Sequence, residues 1–328
     1  MIDGRRSFVT AVACMALSAS TRLRAAPVRP QPVLAVIDVD FPGTRAAFAT
    51  FAGMIERRFA AQSVKPMCVF IASEQDAQPQ TLQKLQRAIL ECRADILLAS
   101  NDGFADMLRT LKVRQPILFF TALDPVAIGL TDSLTHPGLG MTGFALGANS
   151  DLKRGEMLMR LAPKARTVGH LSTAGYAHDG NRASAMSAPV FERVSVRRFE
   201  FDDPARLPDM LASAEARRVD AWDVGYSYAV FRHSEAVVAA LSVLRRPTIY
   251  PRMKFLQMGG MAAFEPRVDE ADAAWVAQVA LLLAGVPIQK IPVIQATRYR
   301  FGINLKACRL VGIAPPKSLI KTAEVVLE

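Results

Sequence analysis

At about 150 residues per domain, the 328 residues of this chain allow two domains with separate cores. The formal net charge of +10 is dispersed over short pairs such as Arg57-Arg58, Arg197-Arg198, Arg217-Arg218 and Arg245-Arg246. These pairs lie in helical or turn-like contexts without interleaved aromatics, which argues against a nucleic-acid partner, while the overall positive field favours anionic ligands.

In chain order, Arg5-Arg6 precede a mostly apolar run from Phe8 to Ala19, and small residues follow at Ala25-Ala26. This is the order of a signal peptide over residues 1–26, and the run is far short of the roughly 20 residues a spanning helix needs. Arg5-Arg6-Ser7-Phe8-Val9 also has the form of a twin-arginine leader. Ala11-Val12-Ala13-Cys14 has the form of a lipoprotein box, but the apolar run ahead of Cys14 is too short. Of the remaining cysteines, Cys68, Cys92 and Cys308, none has metal-ligand spacing. Cys68 and Cys92 read either as small buried hydrophobes or as a disulfide formed in an oxidising compartment.

Beyond the leader, short runs rich in β-branched residues alternate with segments of helical period. Strands are expected at Val33–Val39, Met67–Ala72, Ile96–Ala99, Ile117–Thr121 and Met141–Phe144. Helices are expected at Thr44–Phe59, Thr81–Cys92 and Gly103–Lys112, the first with apolar positions Ala47, Phe48, Phe51, Met54, Ile55 and Phe59. A helix over Ser150–Leu161 leads to a second round. Its strands are expected at Val168–Leu171, Val194–Phe199, Ala221–Val224 and Thr248–Tyr250, and its helices at Arg182–Glu192, Pro204–Ala216 and Phe231–Ala240. A last long helix, Glu270–Ala284, stops at Gly285 and Pro287. Alternation at this spacing implies an α/β protein of two doubly wound, flavodoxin-like lobes with parallel sheets. Lobe one is expected over 27–147 with 265–295, and lobe two over 148–264 with 296–328. A multi-strand hinge is expected where the chain crosses near 145–150, 262–270 and 293–300.

In such sheets a ligand sits beyond the carboxyl ends of the strands, near helix N-termini. That rule selects Asp38, Asp40 and Phe41 after the first strand, Ser100, Asn101 and Asp102 after the third, and Thr121 to Asp124 after the fourth. In lobe two it selects Ser172, Thr173 and Tyr176, then Asp223, Tyr226 and Ser227, then Tyr250 and Arg252. Hydroxyls, helix N-termini and Arg252 suit a carboxylate, an Asp suits an ammonium, and Tyr or Phe suits an apolar side chain. An amino acid or similar small carboxylate fits this set. Capping and turn roles for Asp102, Ser172 and Asp124 stand beside ligand contact as alternatives. Enzymatic motifs fail: Gly138-Leu139-Gly140-Met141-Thr142-Gly143 matches a dinucleotide fingerprint in letters only, since it precedes a strand, and no nucleophile elbow, P-loop or His-Glu-x-x-His motif occurs. The four histidines are scattered, so no metal site is expected.

Two stretches also resemble a known family. Thr121-Ala122-Leu123-Asp124-Pro125-Val126-Ala127-Ile128-Gly129-Leu130, with His136-Pro137-Gly138 and Met141-Thr142-Gly143, is similar to a signature of ABC-transporter substrate-binding proteins of the tryptophan and tyrosine type. Phe301-Gly302-Ile303-Asn304-Leu305-Lys306, Gly312-Ile313-Ala314-Pro315-Pro316-Lys317-Ser318-Leu319 and Ala323-Glu324-Val325-Val326 resemble the family's closing pattern. The resemblance covers the mature chain in order. It implies a type I periplasmic binding fold, no catalysis and no cofactor. It also implies a periplasmic location, a small-molecule ligand, an ABC permease in the inner membrane as partner, and a monomer. It places Asp124 on the family's Asp-Pro motif. The chain departs at Asn101-Asp102-Gly103-Phe104, where the family carries Thr or Ser, then Pro and Ala, and at Met141, where it carries Asn. Lobe two has Ser172-Thr173-Ala174-Gly175-Tyr176 in place of a Ser-rich acidic loop, which weakens the expectation of an aromatic amino acid as ligand. A receptor of the same fold that hands its closed form to a signalling partner is the alternative.

Overall fold

The computed structural model describes residues 31–40, 42–71, 79–146, 148–173, 193–267 and 269–328. The first sheet is built from β1 (Val33–Val39), β2 (Lys65–Ile71), β3 (Ile96–Ala99), β4 (Ile117–Thr121), β5 (Met141–Ala145) and β11 (Ile294–Gln295), in the order β11-β5-β4-β3-β1-β2. All its pairings are parallel. Helices α1 (Pro42–Arg58), α2 (Pro79–Cys92) and α3 (Asp102–Thr110) connect the strands. The four central strands run almost without polar residues because a parallel sheet is covered on both faces. On one face Leu85, Ile89, Phe104 and Leu108 pack against Ala35, Ile37 and Phe119. On the other, Phe51, Ile55 and Phe59 of α1 pack against Leu34, Val36 and Leu98.

The second sheet joins β6 (Thr167–Thr173), β7 (Ser195–Phe201), β8 (Ala221–Val224), β9 (Thr248–Tyr250), β10 (Ala262–Pro266), β12 (Tyr299–Asn304) and β13 (Val325–Leu327) in the order β13-β12-β10-β9-β8-β6-β7. Its one antiparallel pair is β10 with β12. Its helices are α4 (Ala148–Leu161), α5 (Leu207–Ala212), α6 (Ala214–Arg217), α7 (Tyr228–Arg232), α8 (Ser234–Val243) and α9 (Lys254–Gln257); α10 (Asp269–Leu283), α11 (Leu305–Val311) and α12 (Lys317–Thr322) complete the chain. Both sheets contain the flavodoxin-like order, 2-1-3-4-5, in their own strands. The expected two-sheet α/β plan is therefore present.

Three expectations need correction or restriction. The helix expected over Pro204–Ala216 is broken, because the Ser213 hydroxyl accepts from Ala216 N at 3.2 Å and starts α6 anew. The helix expected at Phe231–Ala240 is two, α7 and α8, with His233 between them and Ser227 Oγ accepting from Val230 N at the start of α7. The helix expected at Arg182–Glu192 lies outside the described residues. Cys68 packs with the α1 face of the first sheet and Cys92 with the α2 face, so the sheet separates them and both are free thiols. Burial, with Asp38 adding to it, pushes the Cys68 thiol up to about 12.

The chain passes between the sheets from β5 to α4, from β10 to α10, and from β11 to β12. The last two passages are tied by Glu270. Its carboxylate accepts from Thr297 N (3.0 Å), Thr297 Oγ1 (2.6 Å), Arg298 N (3.1 Å) and Arg298 Nε (3.0 Å). Arg298 also pairs with Asp269 at 3.2 Å, and Arg267 N donates to Arg298 O at 3.0 Å. Behind these bonds lies an apolar cluster of Ala122, Phe144, Leu146, Ala271, Ala274 and Ala296. Burial alone would raise the Glu270 carboxyl, but the donors from Thr297 and Arg298 outweigh it and hold the group at about 2.

A carboxyl depressed on folding contributes stability above its ordinary range and loses it as the pH falls toward the folded value. Glu270→Gln is expected to cost roughly 1.5–3 kcal/mol at pH 7, the scale of hydrogen bonds to a charged group. In urea melts the gap between wild type and variant should narrow from pH 5 to pH 2; a gap independent of pH would remove the charge-assisted role.

Candidate functional site

In sheets of this order the crevice opens at the switch point between the first and third strands, here β1/β3 and β6/β8. Each switch point is bridged by a hydroxyl. In lobe one Ser100 Oγ donates to Asp38 Oδ1 at 2.9 Å, and Val39 N donates to the same oxygen at 2.7 Å. Burial raises the Asp38 carboxyl against these two bonds. In lobe two Thr173 Oγ1 donates to Ser227 Oγ at 3.2 Å.

Around the first switch point, Asn101 caps α3, its Oδ1 accepting from Phe104 N at 3.0 Å, and Asp102 is the first residue of that helix. Thr121 is buried and its hydroxyl accepts from Leu123 N at 3.0 Å. Asp124 closes the turn that follows, accepting from Val126 N at 2.9 Å and Ala127 N at 3.4 Å. Asp40 faces solvent and pairs with Arg45 at 2.7 Å. Phe41 and Tyr176 lie outside the described residues.

In lobe two Ser172 and Thr173 are buried at the end of β6. Tyr226 joins the lobes: its ring lies 6.3 Å from that of Phe120, on β4 of the other lobe, and 4.6 Å from Phe231. Phe120 in turn stacks on Phe144 at 6.2 Å and meets Trp275 edge-on at 6.1 Å. Arg252 Nη1 donates to the Tyr226 hydroxyl at 3.1 Å, and its Nε pairs with Glu265 at 3.2 Å. Glu265 is buried; it also accepts from Met253 N at 2.7 Å and forms an ion pair with Arg300, the residue opposite it in the β10/β12 ladder. Arg300 Nε is buried without a hydrogen-bond partner among the described residues. Two guanidiniums thus share one carboxylate beside an aromatic pair that spans the lobes, and the surplus positive charge is available to an anion.

Two residues selected at strand ends lie elsewhere. Asp223, 2 % exposed, is held by Arg154 Nε at 2.5 Å, Arg154 Nη2 at 3.0 Å and His170 Nδ1 at 2.7 Å. Burial works against its charge, but Arg154 first and His170 after it hold the carboxyl well below the usual range. Tyr250 stacks on Phe255 at 5.0 Å inside the second lobe. Strand alternation sends both side chains into packed layers, whereas the topological rule selects positions and not directions. Phe120, Glu265, Arg300, Arg154 and His170 were not selected from sequence. A visible signal existed for two of them: Glu265 in Ala262-Ala263-Phe264-Glu265 and Arg300 in Tyr299-Arg300-Phe301 are single charges inside apolar strand runs, which need a partner when buried.

A family model described as ABC transporter substrate binding protein matches residues 65–327. Among solved structures, the chain is similar to an ABC domain from Streptococcus pneumoniae in complex with L-Trp, with 17 % identity over 90 % of this chain and 100 % of that one and a TM-score of 0.74. It is also similar to a conserved domain protein from Vibrio cholerae, with 18 % identity, 90 % and 99 % coverage and a TM-score of 0.76. A periplasmic solute binding protein of an ABC transporter from Actinobacillus succinogenes, with bound D-allose, gives 12 % identity, 82 % and 96 % coverage and a TM-score of 0.54. At these identities the likeness is one of fold, the type I periplasmic binding fold. No curated protein matches the sequence.

Asp223→Ala would leave the buried Arg154 with Asp151, at 2.7 Å, as its carboxylate and would take the acceptor from His170 Nδ1. Removing one partner of a buried pair typically costs about 3–5 kcal/mol, and the Asp151 contact keeps the expected loss near the lower end. Urea unfolding at pH 7 measures this. A loss below about 1 kcal/mol would mean that the pair is no part of the lobe's stability.

Proposed function

Because the chain belongs to the ABC transporter substrate binding protein family, we propose that it is the periplasmic receptor of an ABC-type importer, closing its two lobes on a small carboxylate such as an amino acid. The family fixes the coarser part: this is a solute-binding protein and not an enzyme, with a small-molecule ligand and a transporter permease as its partners. No helix among the described residues is long and apolar enough to cross a membrane. Residues 1–26 are proposed as the export signal, with the twin-arginine route suggested by Arg5-Arg6.

The observation that carries the ligand class is the pair Arg252 and Arg300 on Glu265, next to Tyr226 and Phe120. In this reading the carboxylate meets the guanidiniums and the Tyr226 hydroxyl, and the apolar part lies between Phe120 and Tyr226. An ammonium is met by Asp38, whose bonds from Ser100 and Val39 both fall on Oδ1. Phe41, Asn101, Asp102, Thr121, Asp124, Ser172, Thr173 and Tyr176 complete the proposed set. Closure is a rotation about the three passages, the hinge motion common to two-lobed receptors.

The test is a thermal-melt screen of protein unfolded and refolded to remove bound ligand, against amino acids, their amides, small carboxylates and sugars. A ligand at 100 times its Kd adds about 2.7 kcal/mol. Carboxylates are expected to raise the Tm while the matched amides do not, and Arg252→Ala should weaken binding about tenfold or more. A shift produced by sugars alone would overturn the ligand class and leave the solute-binding role standing.

A further inference from the structure

The second lobe holds another cavity, at the end of its sheet opposite the cleft. Its floor and walls come from the amino ends of β9 and β10, at Thr248 and Met261, from the last turn of α8 and the turn after it, and from α11. The volume is about 330 Å3. Three features mark it as built to receive a molecule.

The first is Tyr250, one of the cavity's lining residues although the side chain is only 1 % exposed. Its ring is clamped between Phe255 and the Gly260 backbone, where an added Cβ would lie 2.9 Å from the ring edge. Burial raises its phenol above the usual range, so the hydroxyl is protonated and can act as a donor. The hydroxyl oxygen is not sealed off from the cavity, so it can donate to an acceptor brought there. The second feature is Arg245 and Arg246, exposed on the rim and without a carboxylate partner among the described residues. The third is the apolar wall of Leu241, Met261, Ala307 and Leu310, the last 70 % exposed. No acidic side chain among the described residues lines the cavity.

We propose that this cavity is a second ligand site, taking an amphipathic organic anion. The acid group pairs with Arg245 and Arg246, a ring or aliphatic body lies along Leu241, Met261 and Leu310, and a polar atom of the ligand accepts from the Tyr250 hydroxyl. The site is separate from the cleft and does not rest on the reading of the cleft ligand.

The probe is 2-naphthoate, titrated calorimetrically into the whole protein, with 2-naphthamide as its uncharged counterpart. Naphthoate is expected to bind and naphthamide to bind at least about tenfold more weakly, the scale of a charge-assisted pair. Arg245→Ala combined with Arg246→Ala should raise the naphthoate Kd about tenfold or more. Tyr250→Phe, which removes only the hydroxyl, should raise it about fivefold. In the Arg252→Ala background, where a carboxylate held in the cleft is weakened, the naphthoate binding that depends on Arg245 and Arg246 should persist. Both arginines are on the surface, so their removal does not threaten folding, and a melt of each variant confirms it. The proposal is overturned if wild type does not bind naphthoate, if the double arginine variant binds it as tightly as wild type, or if Arg252→Ala abolishes the binding.

Discussion

One carboxylate fixes how the two sheets are joined. Glu270 stands at the start of α10, on the first-lobe side of one passage, and takes four donors from Thr297 and Arg298, on the way back into the second sheet. Two passages that could drift apart are thereby held as one strap. The strap runs from the β11/β5 edge of the first sheet to β10 and β12 of the second, which lie next to its edge strand β13. The sheets are tethered on that side and not at β2 or β7, so the proposed closure, if it keeps these bonds, is a rotation about the strap. Phe120, near the carboxyl end of β4, and Tyr226, after β8, already bring the two lobes into ring contact on the cleft side.

Charge inside the second lobe is handled in two different ways, and the difference separates scaffold from site. Arg154, Asp223 and His170 are all nearly inaccessible, and the guanidinium meets a carboxylate on two bonds. Arg154 also pairs with the partly exposed Asp151 at 2.7 Å, so two carboxylates answer one guanidinium and no cationic charge is left over for an anion. Breaking such a group costs more than forming it returned. Arg252, Glu265 and Arg300 are unbalanced. The carboxylate is buried, the two arginines are each about one-third exposed, and there is one positive charge too many. A lone excess charge at a crevice with aromatic walls is the arrangement that an anionic ligand completes.

The alternation of β-branched runs with helical segments made the strands legible, because parallel strands buried on both faces must be apolar over their whole length. Val33–Val39, Ile96–Ala99, Ile117–Thr121 and Ala221–Val224 therefore coincide with β1, β3, β4 and β8. Helix interruptions were less legible: Ser213 and Ser227 are small polar residues whose capping bonds depend on the backbone around them. The candidate site was legible only in outline. Tyr226 and Arg252 follow strand ends and reach the crevice, but Glu265 comes to Arg252 only once β10 lies beside β9, and Arg300 reaches Glu265 only through the antiparallel pairing with β12. That pairing is between strands separated by α10 and β11 in the other lobe, a relation no local pattern carries.

The same antiparallel pair explains why the second lobe has a cavity at the end where such sheets do not ordinarily bind ligands. A parallel strand added beside β10 would deliver its carboxyl end, and the helix after it, to the cleft side. Because β12 runs the other way, α11 emerges beside the amino ends of β9 and β10. There it faces α8 across a gap that neither helix fills, with Ala307 too small to reach Leu241 and Leu310 turned to solvent. Gly259, at φ +96, and Gly260 carry the chain around this gap, and Gly260 leaves room for the Tyr250 ring beneath it. The strand that brings Arg300 to Glu265 at one end of the sheet thus leaves, at its other end, the space onto which Tyr250 opens. Tyr250 and Arg252 are two residues apart in one segment. The proposed cleft site and the proposed second site are thus joined by one short segment of chain.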